Sequence, residues 1–132
     1  YKAILLNIRG IRMSCYYEDC FDVIKATHVA STSYTEESLN LTLSNGSKIE
    51  YRAIGECCSS SFIESIDDLS VLQDCTIFDV QIVEGESKDV DDCSVHKWHF
   101  VKFKTSKGWA TLSFRNESNG YYDGQLELIN CN

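Results

Sequence analysis

The sequence contains no proline. Its turns must therefore rest on Gly, Asn, Asp and Ser, and glycine itself is scarce, at seven in 132 residues. There is no glycine-rich phosphate loop, no nucleophile elbow and no papain-like cysteine signature, so no motif points to nucleotide hydrolysis or to serine or cysteine catalysis. Long apolar runs are missing too. Nothing approaches the roughly 20 residues of a membrane helix, and Ala3-Ile4-Leu5-Leu6 is too short for the apolar region of a signal peptide. Basic residues are the minority: 12 Lys and Arg against 20 Asp and Glu give a net charge of −8. A nucleic-acid binder displaces counterions from phosphates with a basic face, so direct nucleic-acid binding is not expected, and neither is a membrane role. The acidity suits solubility and permits a binder of basic protein surfaces or a nucleic-acid mimic.

Apolar residues make up 43% and aromatic residues 11%, as in a globular protein. The length fits one domain over 1–132 with its own core. Seven cysteines are present (Cys15, Cys20, Cys57, Cys58, Cys75, Cys93 and Cys131), an odd count that leaves at least one thiol unpaired in a monomer. With no secretory segment in view, the thiols read as mostly free, in a reducing compartment such as the cytoplasm.

The clearest local signal lies at Leu39, Leu41 and Leu43, then Asn45-Gly46, then Ile49, Tyr51 and Ala53. Alternation with period two on both sides of Asn-Gly predicts a hairpin with one apolar face. Strands are also expected over 2–9, Phe21–Ala30, Phe62–Ile66, Thr76–Val83, Val95–Lys104, Trp109–Phe114 and Gln125–Ile129. Asp67 is expected to cap a short helix over 68–72, and Glu84 to Cys93 reads as an acidic loop. Each half carries a strand, a hairpin closed at Gly46 or Gly108, a serine-bearing polar stretch and a further strand, with Phe21-Asp22-Val23 echoed by Phe78-Asp79-Val80. The expected fold class is therefore α+β and mostly antiparallel β. It has two meander-like halves, 21–66 and 67–130, sharing one core with one or two short helices, after an N-terminal extension over 1–20. A homodimer through strand edges is compatible with this.

Arg115 to Tyr122 concentrates the polar chemistry. Arg115, Asn116, Glu117, Asn119, Tyr121 and Tyr122 are the candidate ligand-binding residues. Arginine forks onto phosphate or carboxylate, and tyrosine stacks on a base. The alternative is a polar turn bonded to its own backbone. If the halves are pseudo-symmetric, Arg52 and Glu56–Ser61 occupy the equivalent place. No metal site is expected. Cys57-Cys58 lacks a zinc-ribbon spacing, and His96 and His99 point to opposite faces of a strand. The acidic run lacks the spacing and glycine of a calcium loop. No cofactor is expected.

Trp98-His99-Phe100-Val101-Lys102-Phe103, the Lys107-Gly108 turn and Glu117-Ser118-Asn119-Gly120-Tyr121-Tyr122 resemble a family of small uncharacterised proteins common in phages and their bacterial hosts. Cys57-Cys58 with Phe62-Ile63-Glu64 and Asp67-Asp68-Leu69 matches the family's earlier block. The likeness covers roughly residues 21–130. Members commonly place a histidine shortly before the Cys pair, where this chain reads Tyr51-Arg52-Ala53-Ile54-Gly55. The resemblance implies a compact β-rich fold and a phage accessory role, not a reaction. The expected function is a non-catalytic intracellular binding module that masks a host protein or sequesters a small polar or nucleotide-like ligand. The alternative is a small hydrolase or metal-dependent enzyme using Cys57/Cys58 with His96 or Glu117.

Overall fold

The computed structural model describes residues 17–56, 59–91, 94–119 and 124–131. A 3-10 segment, Tyr17–Ile24, is followed by β1 (Thr27–Tyr34), β2 (Ser38–Leu43), β3 (Lys48–Gly55) and β4 (Ser60–Asp67). A second 3-10 turn, Leu69–Leu72, leads to β5 (Cys75–Asp91), β6 (Ser94–Thr105), β7 (Gly108–Ser118) and β8 (Gly124–Cys131). Among the described residues there is no α-helix, so the α part of the expected α+β class reduces to these two short turns.

The strands form one open antiparallel sheet in the order β4-β7-β6-β5-β1-β2-β3-β8. Exchanging β1–β4 with β5–β8 leaves this order unchanged, merely reversed. Each half is a three-stranded meander, but the fourth strand of each crosses over to pair with the third strand of the other, β4 with β7 and β8 with β3. The meanders join along a short seam between β1 and β5, where Thr27, His28 and Val29 pair with Ile77, Thr76 and Cys75. Just beyond that seam the Gln73 side chain stands in for a strand. Its Oε1 accepts from the Thr32 N–H at 2.8 Å, and its Nε2 donates to the Thr32 carbonyl at 2.7 Å. Backbone groups that the short seam would leave open are satisfied this way. The sheet curls until its edges approach: Ile63 N–H on β4 donates to the Glu36 carbonyl in the β1–β2 turn, and Gly124 of β8 lies against Ser61 of β4.

The expected hairpin is β2–β3, with Gly46 at φ 90° in its turn and Ser47 N–H bonded to Asn45 Oδ1. Leu39, Leu41, Ile49 and Tyr51 are its buried face. On β7 the same alternation buries Ala110, Leu112 and Phe114. The first 3-10 segment closes this core, with Cys20, Phe21 and Ile24 all buried. Phe21 stacks on Tyr51 at 4.6 Å and meets Phe103 edge-on at 6.1 Å. The Tyr51 hydroxyl donates to the Cys20 carbonyl at 2.7 Å, and full burial holds its phenol well above the ordinary tyrosine pKa.

Several expectations are corrected. Phe21 lies in the 3-10 segment, not in a strand reaching to Ala30, because Ala26 takes φ 62° and separates that segment from β1. Asp67 ends β4 and caps nothing; Asp68, at φ 61°, precedes the second turn without a side-chain cap. The acidic stretch to Asp91 is no loop but the distal part of the 17-residue β5. Its residues from Glu84 to Asp91 are all exposed, so no apolar alternation marked it as a strand. Arg115 to Ser118 likewise continue β7, held between β4 and β6. Of the three described cysteines, Cys20 is disulfide-bonded and Cys75 and Cys131 are free. Burial pushes the Cys75 thiol above its usual range. The expected strand over 2–9 and Cys15, Cys57, Cys58, Cys93, Tyr121 and Tyr122 lie outside the described residues.

Candidate functional site

The period of a strand sorts the polar residues of β7 onto two faces. Asn116 shares the inner face with Phe114 and is buried; its Oδ1 accepts from Ser61 Oγ at 2.7 Å. Arg115 and Glu117 are on the outer face with their partners across the ladder. Register places Phe62, Arg115 and Trp98 in one row, and Ser60, Glu117 and His96 in the next. On β4 a bulge between Ile63 and Ser65 inserts Glu64 beside that row.

These rows form a clamp. Arg115 Nη1 pairs with Glu64 Oε2 and Nη2 with Glu117 Oε2, both at 3.0 Å. The guanidinium lies 4.9 Å from the Phe62 ring centroid and 5.7 Å from that of Trp98, within cation–π range. Trp98 Nε1–H donates to the second Glu64 oxygen at 3.1 Å. His96 Nε2 stands 3.8 Å from Glu117. The clamp is about one-third exposed, with side-chain exposures of 26% for Arg115, 37% for Glu64 and 33% for Glu117. Arg115→Ala is expected to destabilise the protein by about 2 kcal/mol, between the values for exposed and buried pairs, because two carboxylates then lose their shared cation. Arg115→Lys should recover less than half, having neither the fork nor the planar stack. Denaturant unfolding of both variants checks this; a loss under about 0.5 kcal/mol for Arg115→Ala would reduce the clamp to an ordinary surface pair.

Two clefts flank the clamp. One, of about 610 Å³, is lined by Glu64, Glu84, Gly85, Glu86, Trp98 and Phe100. It arises at a second bulge, between Glu84 and Ser87 of β5, where the chain gains a residue over β6. A Cβ on Gly85 would lie 2.6 Å from the Phe100 ring, so this position must be glycine for the ring to lie there. The other cleft, of about 510 Å³, is lined by Ser59, Ser60, Ser94, His96, Glu117, Ser118 and Asn119.

Of the residues singled out in sequence, Arg115 and Glu117 are thus together, and Asn119 lines the cleft beside Glu117. Asn116 is turned to the opposite face. Arg52 lies on β3, in the other half of the sheet, and bonds Glu50 Oε2 of its own strand at 2.9 Å. Glu64, Trp98, Phe100, Glu84 and Glu86 were missed as site residues. Only the even spacing of His96, Trp98 and Phe100 on one strand signalled a shared face; the partners on β4 and β5 are set by register and bulges. His99 stacks on Phe114 at 4.6 Å on the inner side, apart from His96. No group of three or more His, Cys, Asp or Glu side chains placed for a metal occurs among the described residues.

A separate array joins Ser44, His28 and Asp74: Ser44 Oγ bonds His28 Nδ1, and His28 Nε2 is 3.5 Å from Asp74. The residue types are those of a serine-hydrolase triad. Yet the imidazole is 46% exposed and the carboxylate 82% exposed, so water screens the field that a triad needs. The array reads as a surface link between the β2–β3 turn and the start of β5.

A small all-β protein, with a palindromic eight-stranded sheet bearing an acidic and aromatic patch on its outer face, is the class that these features define. The chain belongs to the family described as Domain of unknown function (DUF7448), whose model matches residues 7–128. No curated protein and no solved structure matches the chain.

Proposed function

We propose that this chain is a non-catalytic binding module, an accessory protein of the phage type that masks a host protein in the cytoplasm. Its contact surface is the outer face of β4-β7-β6-β5. One observation carries the choice between masking a protein and sequestering a small polar or nucleotide-like ligand. Arg115, the cation that would take a phosphate, is already spent on Glu64 and Glu117. Recruiting it for an anion would cost both ion pairs and the aromatic stacking. Around the clamp that face is carboxylate and aromatic surface, with Lys102 and Lys104 lying apart toward the β6–β7 turn, and this suits a protein partner better than a phosphate.

Native mass spectrometry of the protein purified from its expression host tests this. The expected result is the mass of the bare chain, its disulfide included. A nucleotide-sized adduct near unit occupancy would overturn the masking reading in favour of ligand sequestration. A second reading, a hydrolase or metal-dependent enzyme, draws on the His96–Glu117 proximity in the serine-lined cleft. Zinc below about a tenth of an equivalent in the same preparation removes its metal form, since a built zinc site binds tightly.

A further inference from the structure

The clamp shows how this face holds a cation. A guanidinium sits over Phe62 and Trp98 while Glu64 grips one of its nitrogens. The adjoining cleft of about 610 Å³ repeats those parts without the cation. Trp98 is common to both, Phe100 takes the place of Phe62, and Glu86, in the bulge opposite Trp98, supplies the carboxylate, while Glu84, opposite His99 in the ladder, lines the cleft at its edge. Glu64 is the shared wall, with one oxygen on Arg115 and the other on the Trp98 indole. Among the described residues neither Glu84 nor Glu86 has a basic partner. The chain as a whole is short of cations by eight charges. A second seat of this design attracts a flat cation by ring quadrupole and by charge together.

We infer that the Trp98–Phe100–Glu84–Glu86 cleft receives an arginine side chain from a basic segment of the partner protein. This rests on the reading of the chain as a binding module and names the chemistry of its partner. Arginine fits better than lysine because its planar head stacks on rings and forks onto carboxylates, as Arg115 does next door. Glu84 and Glu86 at the rim speed encounter with a basic segment, and the aromatic walls set the geometry.

The test uses the full chain carrying Trp109→Phe, which leaves Trp98 as the sole indole of the two. Trp98 fluorescence is followed at low salt against a hexa-arginine peptide, a hexa-lysine peptide, spermidine and ATP. Saturable binding of hexa-arginine is expected, several-fold tighter than hexa-lysine, and weakened about tenfold by Glu84→Gln with Glu86→Gln. Both side chains are exposed, so these substitutions leave the fold intact. Glu36→Gln with Glu37→Gln removes the same charge from the exposed β1–β2 turn and should change affinity less than about twofold. Equal losses in the two double variants would reduce the effect to net charge and overturn the inference. So would unchanged affinity in the Glu84/Glu86 variant. Spermidine binding as tightly as the peptide overturns the assignment to a protein segment. A response to ATP alone overturns the cation while keeping the face as a binding surface, and the native mass decides that wider reading independently.

Discussion

Phe21→Ala is expected to cost about 4 kcal/mol of stability, the largest loss from any single truncation considered. The ring is 1% exposed, stacked on Tyr51 and edge-on to Phe103. Its removal takes away transfer free energy and leaves a cavity between rings that cannot collapse without unstacking. It also loosens the 3-10 segment, whose Cys20 carbonyl is the partner of the buried Tyr51 hydroxyl. A phenol at full burial with no acceptor adds its desolvation penalty to the cavity. Phe78→Ala is the matching control, since that ring is 55% exposed, and it should change stability by less than about 0.5 kcal/mol. Guanidinium unfolding of the two variants settles the matter. A loss under about 1.5 kcal/mol for Phe21→Ala would mean that the segment is a loose cover, not a plug.

Gly124→Ala should cost about 3 kcal/mol or more, for a different reason. A Cβ at this position would lie 1.8 Å from Ser61 Oγ, 2.8 Å from Ser61 Cβ and 2.8 Å from the Ile54 carbonyl oxygen. A serine hydroxyl can rotate away, but the Ile54 carbonyl is backbone of the strand that β8 pairs with. The methyl therefore forces β8 off β3 or pushes the β8 and β4 edges apart. Displacing Ser61 also breaks its bond to the buried Asn116, so the disturbance reaches the strand that carries Arg115 and Glu117. Ser61→Gly in the same chain removes two of the three clashing atoms. Measured against Ser61→Gly alone in a double-mutant cycle, it should recover at least about 1 kcal/mol. Wild-type stability in Gly124→Ala would show that the two edges do not meet in solution.

How far the sequence could be read depended on where a residue's partner lies along the chain. The β2–β3 hairpin was legible because everything that specifies it is local: Leu39, Leu41, Asn45-Gly46, Ile49 and Tyr51 fix period, turn and face within a few residues. The mostly antiparallel β character and the opposite facing of His96 and His99 followed from the same period. The distal part of β5 was not legible, because a strand exposed on both sides has no alternation to display. Nor was the plug at Phe21, because a β-branched neighbourhood favours a strand locally and the rings of Tyr51 and Phe103 override it. The sequence alone determined an acidic, proline-free β protein with a polar stretch at Arg115–Tyr122. Only the tertiary structure decided that Asn116 faces inward, that Arg52 stays in the other half, and that Arg115 is clamped by Glu64 and Glu117 beside Trp98. The reason is physical: the crossing of β4 onto β7, and the bulges that insert Glu64 and Glu86, are set by pairing between residues as far apart in sequence as Ser60 and Glu117, which leaves no periodic trace in either strand alone.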